Sequence, residues 1–307
     1  MKAKALSRRR FRTADGSVGG TVFDIFNYAF ITLFCISILF PMWDMIVQSL
    51  SRAEDISYMS LNLWPKHVTL DGYKYVFSDK LLFIAFRNSI LRTAIGSAYH
   101  LVVCCLAAYT MTRYEMPFLK VFTGIFLITM FFSGGMIPAY LNIKNLGLLE
   151  NFLVYVLPGG FSMYNTIIIR NYFFSIDRSL EESATIDGAN SLQIMAKIIL
   201  PLSLPVLATV GLWQMVAQWN SWFDNMVYCR SDNLITLQYM LKRITNNIAS
   251  LTDSSSQYAM MMEQSMVFTP QSIIACTTVI TVVPIICVYP FLQKYFVKGI
   301  MLGAVKG

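Results

Sequence analysis

Long apolar runs separated by polar connections dominate the pattern of this chain. About six of them have the length that a helix needs to cross the hydrocarbon core of a bilayer, roughly 20 residues for ~30 Å. The runs cover residues 23–50, 82–110, 118–141, 152–174, 201–228 and 272–296. The pattern therefore predicts a polytopic membrane protein.

The spans are predicted to be helices. In hydrocarbon, every backbone N–H and C=O must be satisfied within the protein, which an open sheet cannot achieve. The runs are also too long and too uniformly apolar for the strands of a barrel. Two polar segments, 51–80 and 230–270, are predicted to be long loops. The predicted fold class is all-α, with about six transmembrane helices.

One polar connection, between the fourth and fifth runs, is more elaborate than a simple loop. Residues 180–186 suit a short helix, and Asp187-Gly188 predicts its end, because glycine accepts the left-handed backbone found there. Asn190 or Ser191 can cap a second short helix. The connection is therefore predicted to be a helix–turn–helix.

The second helix of this connection places apolar side chains on one stripe, formed by Leu192, Met195, Ile198 and Ile199. Two interpretations fit the stripe. The helix could lie on the lipid headgroups as an interfacial connector, or it could be a docking site for a partner outside the membrane.

Composition supports the membrane environment. The chain is 56% hydrophobic and only 13% charged, whereas soluble domains carry about 25% charged residues. The net charge of +7 does not indicate nucleic-acid binding, because the dense basic cluster is confined to the N-terminal tail. A basic tail before an apolar span is typical of a topology signal. The first run is too long for a cleavable signal peptide, so it is expected to remain as the first membrane helix.

The distribution of Lys and Arg predicts the orientation. With the basic tail inside, the positive-inside rule places the connection before the fifth span and both termini in the cytoplasm. The loops at 51–80 and 230–270 then face outward. The predicted location is the cell membrane, with multiple passes.

Several ionisable residues fall within the predicted spans. Arg87 and Arg92 lie near the outer end of the second span, where we expect them to snorkel. His100 lies deeper in the span. It could be a functional group with a ligand or proton role, or a neutral imidazole that is hydrogen-bonded in a helix interface. Asp44 and Asp224 lie near span ends, where we expect hydration. The six cysteines show no metal-ligand spacing, so no metal site is predicted.

The connection also carries a family resemblance. The stretch ESATIDGA at 182–189, followed by ILP at 199–201, resembles the "EAA" loop of binding-protein-dependent ABC importer permeases. Ser183 stands where the family pattern has alanine, and the ILP ending lacks one spacer residue. The stretches RNSILRTAIGS, LAAYTMTRY, FFSGGMIPAYL and YPFLQKYFVKGIMLGAVKG resemble the carbohydrate-uptake branch. Within it, the similarity from about residue 20 onward is to the maltose-type second permease, in the complex-oligosaccharide subgroup.

The resemblance implies a mechanism. Two permeases pair, and each EAA loop fits a cleft on one of two ATPase subunits. ATP closes the ATPase dimer, and the loops transmit the closure to a cavity that receives sugar from an extracytoplasmic binding protein. The coupling residues implied by the resemblance are Glu182, Ala184, Asp187, Gly188, Ala189, Leu192 and Met195. Glu182 would offer a charge to the ATPase, and Gly188 would allow the turn.

The resemblance also implies the domain organisation and the partners. The expected parts are a basic cytoplasmic tail at 1–20, a first helix and outer loop at 21–80, a transmembrane core at 81–298 with its coupling loop at 175–201, and a C-terminal tail at 299–307. The chain has no G-x-x-x-x-G-K-[ST] phosphate loop. We therefore expect a non-catalytic subunit that binds no cofactor, with ATP and Mg used by the partner ATPase. The other expected partners are a homologous permease, a binding protein, a sugar and membrane lipid.

The fifth span offers candidate sugar contacts, because it combines aromatic faces with amides. These candidates are Trp213, Gln214, Gln218, Trp219, Asn220 and Trp222. An aromatic belt at the outer interface is the alternative interpretation. Two other functions stay open at this point, an ABC importer permease for a non-sugar solute and a stand-alone secondary transporter. The latter would show inverted repeats and charged residues at the midplane.

Overall fold

The computed structural model describes residues 18–56, 63–113, 115–253 and 269–304. Apart from an isolated bridge between Ser51 and Val68, the regular structure in these ranges is helical. The α-helices are α1 Val18–Ser49, α2 Asp71–Ser78, α3 Lys80–Thr110, α4 Leu119–Phe131, α5 Met136–Asn145, α6 Met163–Phe174, α7 Ser179–Ile186, α8 Ser191–Ile194, α9 Leu200–Leu202, α10 Leu204–Asn220, α11 Phe223–Tyr228, α12 Leu237–Asp253 and α13 Pro270–Ala304. Short 3-10 turns occupy Ala53–Asp55, Phe152–Tyr155 and Asp232–Leu234. The predicted all-α class is confirmed.

The chain divides into two compact units, one of Met1–Gly72 with Val267–Cys276 and one of Tyr73–Met266 with Thr277–Gly307. The first unit is dominated by α1, whose apolar side chains are exposed along most of its length. The Trp43 indole N–H donates to the Leu63 carbonyl at 2.9 Å and anchors the segment that follows the helix. The predicted basic tail lies largely in residues 1–17, outside the described ranges.

The second unit is built around α3, which packs against α10 and α6. Its core combines small and large apolar side chains, among them Cys104, Ala108, Ile169 and Val210. Small residues let membrane helices approach closely. A Cβ on Gly211 would come within 3.1 Å of the Leu101 side chain, so this glycine sets the separation of α10 and α3.

Three predicted spans are continuous helices. Gly20–Ser49, Lys80–Thr110 and Gln271–Val288 are long and apolar enough to cross a membrane. The side chain of Asp79 caps α3 by accepting from the Leu81 N–H at 2.8 Å. These helices correspond to the first, second and last predicted spans.

The third and fifth predicted spans are bent. α4 and α5 meet at 117°, where Gly135 adopts a φ of +86° that glycine accepts readily. The chain turns by 82° between Ser191–Leu202 and Leu204–Asn220. Pro205, in the first turn of α10, lacks the N–H that would have continued the preceding helix. If each bent pair is one span, up to five helices can cross in the described residues.

The fourth predicted span is wrong as a single helix. A 3-10 turn over Phe152–Tyr155 is followed by an irregular stretch at 156–162, and only then by α6. Its 12 residues extend about 18 Å at 1.5 Å per residue, short of the ~30 Å hydrocarbon core. Pro158-Gly159-Gly160 accounts for the break, since neither residue type favours a helix interior.

The segment predicted as a long polar loop at 230–270 contains a helix. α12 covers Leu237–Asp253, and Leu237 is buried. The Asn88 amide of α3 donates to the Asn233 and Ile235 carbonyls at 2.8 and 2.9 Å, which fixes the entry to this helix. Residues 254–268 lie outside the described ranges.

Candidate functional site

The connection before the fifth span forms the predicted helix–turn–helix. α7 begins after Asp177, whose carboxylate accepts from the Ser179 N–H at 3.0 Å. Hydrogen bonds from the Ser179 backbone and hydroxyl lower the pKa of Asp177. We call residues 177–199 the coupling segment, after the role that the family resemblance implies.

The turn of the coupling segment is a Schellman motif. Gly188 has a φ of +82°, its N–H donates to the Thr185 carbonyl at 3.0 Å, and the Ala189 N–H donates to the Ala184 carbonyl at 2.9 Å. Asn190 then caps α8 in a reciprocal pair with Gln193. The predicted helix end at Asp187-Gly188 is confirmed, and of the two predicted caps, Asn190 and Ser191, Asn190 is the one that caps α8.

The predicted apolar stripe divides into a buried part and an exposed part. Met195 and Ile199 belong to the core of α3 and α6, within a π-helical turn over Met195–Ile199. Of the other two stripe residues, Leu192 is 66% exposed and Ile198 is partly buried. Ile186, which lies at the end of α7 and outside the predicted stripe, is 87% exposed. The prediction that these four side chains form one stripe on the outside of the helix is therefore wrong, because Met195 and Ile199 point into the core within the π-helical turn.

The remaining predicted coupling residues lie in two layers. Ala184 and Ala189 are partly buried and pack against the same core. They therefore hold the coupling segment against α3 and α6 of this permease. Glu182, Asp187 and Gly188 are exposed at its surface. The exposed layer, together with Ile186 and Leu192, is a mixed apolar and acidic surface.

An ion pair holds the coupling segment to the end of α3. Arg113 lies 2.6 Å from the Glu181 carboxylate, and its guanidinium also covers the Tyr109 ring at 4.4 Å and bonds the Tyr109 hydroxyl. A cavity of about 420 Å³ beside this pair is lined by residues that include Phe173, Glu182 and Ile186. Arg113 was not among the predicted coupling residues. The two adjacent acids Glu181 and Glu182 in the first turn of α7 are the sequence feature that indicates a cationic partner.

Arg92 is buried rather than snorkelling, which corrects the prediction. It is 2% exposed and pairs with the Asp224 carboxylate at 2.5 Å. It also donates to the Gln218 Oε1 at 3.0 and 3.2 Å and covers the Tyr155 ring at 4.5 Å. Every acceptor lies far along the chain from Arg92, so no local pattern reveals the pairing. Arg87 is exposed, as predicted.

His100 has the surroundings of a hydrogen-bonded imidazole in a helix interface. Its Nδ1 lies 2.8 Å from the Gly159 carbonyl, and its Nε2 lies 2.8 Å from the Asn165 amide nitrogen. One neutral tautomer satisfies both contacts, donating from Nδ1 and accepting at Nε2. No cluster of metal ligands is present among the described residues.

The predicted sugar contacts of α10 and its end separate into engaged and open side chains. Both ends of the Gln218 amide are hydrogen-bonded, since its Oε1 accepts from Arg92 and its Nε2 donates to the Tyr155 carbonyl at 3.2 Å. Trp219 donates to the Thr281 carbonyl at 3.1 Å and lines an apolar cavity of about 360 Å³. Asn220 accepts from Gln238 at 3.0 Å, and Trp222 packs on Phe223 and Lys242.

Among these candidates, Trp213 and Gln214 have side chains that are still available to contact a ligand. Trp213 is 42% exposed and lies 6.4 Å, ring centre to ring centre, from Tyr164 of α6. Gln214 makes no side-chain hydrogen bond to another described residue. Tyr164 was not among the predicted sugar contacts, because it follows the irregular stretch that sequence reasoning treated as helix.

Comparison with known proteins places this geometry in a family. The chain is 35% identical over 288 residues to the polygalacturonan/rhamnogalacturonan transport system permease protein YtcP of Bacillus subtilis (strain 168), covering 93% of this chain and 99% of that one. It is 36% identical to protein LplC of the same organism, over 96% and 98% of the two chains. A chain in the crystal structure of a bacterial ABC transporter involved in the import of the acidic polysaccharide alginate matches with a TM-score of 0.82 and 32% identity, covering 91% of this chain and 98% of that one.

The sequence profile described as "Binding-protein-dependent transport system inner membrane component" matches residues 14–223. That range holds α1, the α3 core, the coupling segment and α10. The stand-alone secondary transporter considered above is therefore wrong. The chain belongs to the binding-protein-dependent transport system inner membrane component family and is a non-catalytic, multi-pass membrane permease subunit of an ABC importer.

Proposed function

We propose that this permease imports oligosaccharides of acidic sugars. The observation that carries the proposal is the chemistry shared by two similar proteins. YtcP is named for polygalacturonan, and the solved transporter is described as importing the acidic polysaccharide alginate. Both similarities extend over more than nine tenths of this chain. Galacturonan and alginate both consist of pyranose rings that carry carboxylates.

The importer would consist of this chain, a second homologous permease, two ATPase subunits and an extracytoplasmic solute-binding protein. Both termini and the coupling segment would face the cytoplasm, and α12 would face outward. This orientation requires residues 152–174 to cross the membrane as a sixth, broken span, made of the 3-10 turn, the irregular stretch and α6 together. The positive-inside rule supports this orientation, because the basic tail directly precedes α1.

The exposed layer of the coupling segment would dock on the ATPase. Glu182 would face a cationic side chain of the docking cleft, while Ile186 and Leu192 would fill its apolar part. The exposure of these two large apolar side chains outside the long apolar helices supports a docking role. Residues buried against α3 and α6 would carry the movement inward.

The test is transport by the reconstituted complex. The chain is co-expressed with the second permease, the ATPase and the binding protein of the source organism, and is placed in proteoliposomes. Oligogalacturonides should be imported and should stimulate ATP hydrolysis, whereas maltooligosaccharides of equal length should do so weakly. A preference for the neutral sugar would overturn the acidic assignment, and import of only a non-sugar solute would overturn the sugar assignment.

A further inference from the structure

We propose that Tyr164, Trp213 and Gln214 form a binding site for one pyranose ring in the transport path, and we call them the ring platform. The inference rests on the proposed function, which supplies the sugar. It assigns to this permease a contact with the substrate during translocation, in addition to its coupling role.

The platform is a pair of accessible aromatic faces with an adjacent amide. Tyr164 is 52% exposed, and its ring is tilted by 31° from that of Trp213. The C–H face of a pyranose is apolar and covers an aromatic ring well, while its hydroxyls need hydrogen-bond partners. Gln214 is the next residue of α10, its amide nitrogen lies beside Gly159, and the amide has no hydrogen-bond partner among the described residues. The site therefore offers both kinds of contact that a sugar requires.

The depth of the platform argues against an interfacial aromatic belt. Trp213 lies near the middle of α10, seven residues before its end at Asn220, which is about 10 Å along the axis. The side-chain amide of Asn165, the residue after Tyr164, lies 2.8 Å from His100 Nε2. His100 precedes the end of α3 by ten residues, or about 15 Å. Belt residues lie at the headgroup level instead.

The neighbouring backbone argues against lipid on this side. Residues 156–162 are not helical, and Pro158 and Gly159 within them are exposed. Non-helical backbone at membrane depth is tolerated only where protein buries it or where it lines a water-filled cavity. A Cβ on Gly159 would lie 4.0 Å from the Gln214 amide nitrogen, so the irregular backbone and the platform share one face. We infer that this face lines the aqueous path.

Tyr99 supports the same face from α3. A Cβ on Gly160 would come within 2.1 Å of the Tyr99 ring, so this ring lies directly against the glycine. The platform contains no cation. It would therefore recognise the pyranose ring rather than its carboxylate, and it would not by itself distinguish acidic from neutral sugars.

The test compares ring-removing and ring-keeping variants in the complete reconstituted complex. Tyr164→Ala and Trp213→Ala should each lower oligogalacturonide uptake about fivefold, the value of one aromatic contact. Tyr164→Phe and Trp213→Phe should keep most of the uptake. Phe83→Ala removes an exposed ring near the start of α3 and serves as the matched control. Recovery of the second permease should be unchanged in every variant, and Phe83→Ala should also leave uptake and the ATP hydrolysis stimulated by the loaded binding protein unchanged.

Two results would overturn the proposal. Normal uptake by both alanine variants would show that neither ring contributes to sugar binding during transport. Loss of the second permease from those variants would make the face a subunit interface instead.

A binding measurement separates this proposal from the proposed function. With the complex trapped by a non-hydrolysable ATP analogue, a trigalacturonide should change the tryptophan fluorescence of the wild type but not of Trp213→Phe. If the wild type imports no oligosaccharide yet gives this signal, the proposed function fails and the platform stands. If uptake depends on the rings, both stand. Absence of both signal and uptake removes both.

Discussion

Arg113, just beyond α3, lies 2.6 Å from Glu181 in the first turn of α7. The pair joins the central core helix to the first helix of the coupling segment. An exposed ion pair is usually worth less than about 1 kcal/mol, but this guanidinium is also held against the Tyr109 ring. In the proposed docking on the ATPase, this pair would transmit displacement of the coupling segment to α3.

We predict that reversing either charge weakens coupling and that reversing both restores it. Arg113→Glu and Glu181→Arg should each lower substrate-stimulated ATP hydrolysis and uptake roughly two- to fivefold, because each places like charges together. The double variant should recover most of both activities. A double variant as poor as the sum of the single ones would show that the two residues act independently.

Gly188 should tolerate asparagine better than valine. Its φ of +82° is unfavourable for side chains, and no atom lies within 4 Å of an added Cβ, so backbone strain is the cost. Valine should lose about 1–2 kcal/mol or more, while asparagine, which visits the left-handed region, should lose less. Recovery of the ATPase from membranes should fall in the order glycine, asparagine, valine, with the second permease still recovered. Equal recovery from all three would mean that the turn has no part in docking.

Leu192 and Met195 should fail in different ways although they are three residues apart. Leu192→Ala removes an exposed side chain and should reduce ATPase recovery while leaving the thermal stability of the chain unchanged. Met195→Ala removes a buried one and should lower the free energy of unfolding by about 2–5 kcal/mol. Thermal unfolding in detergent and ATPase pull-down distinguish the two. Equal loss of stability would contradict the division into exposed and buried layers.

The features that the sequence predicts well are local or depend on average composition. Three long helices follow from apolar length alone, and the turn follows from Asp187-Gly188 and Asn190 because caps are set by neighbouring residues. The bends at α4–α5 and before α10 escape detection, since hydropathy averages over the few residues that redirect the backbone.

Contacts between segments that are distant along the chain cannot be predicted from the sequence pattern, because that pattern reports only neighbouring residues. Arg92 reads as a snorkelling residue until Asp224, 132 residues later, is found beside it. The contact of Trp213 with Tyr164 is likewise invisible in the sequence, because Tyr164 belongs to a different helix. The residue types alone indicate that Arg92 needs an anionic partner and that Trp213 can offer an aromatic face. Which residue each of them contacts is known only from the folded structure.

A cysteine-accessibility scan in a background lacking the six native cysteines should resolve the orientation. Exposed positions of α12 should be labelled from outside, and Glu182 and Leu192 positions only from inside, as the basic tail predicts. The reversed pattern would remove the docking role of the coupling segment together with the orientation.

Arg92→Lys should destabilise the chain although it keeps the charge. The guanidinium reaches Gln218, Ser221 and Asp224 at once, and a lysine ammonium cannot reproduce this fork. Arg92→Leu should be worse than Arg92→Lys, because it leaves the Asp224 carboxylate, which is 22% exposed, without its counter-charge. Removing one partner of a fully buried pair costs about 3–5 kcal/mol, and the partial exposure of Asp224 lowers that cost. Arg87→Lys, at an exposed position of the same helix, is the matched control and should unfold at the wild-type temperature. Arg92→Leu combined with Asp224→Leu should regain stability relative to Arg92→Leu alone, since no unpaired carboxylate then remains beside the leucine. If Arg92→Leu unfolds like the wild type in detergent, the network does not stabilise the junction of α3 and α10.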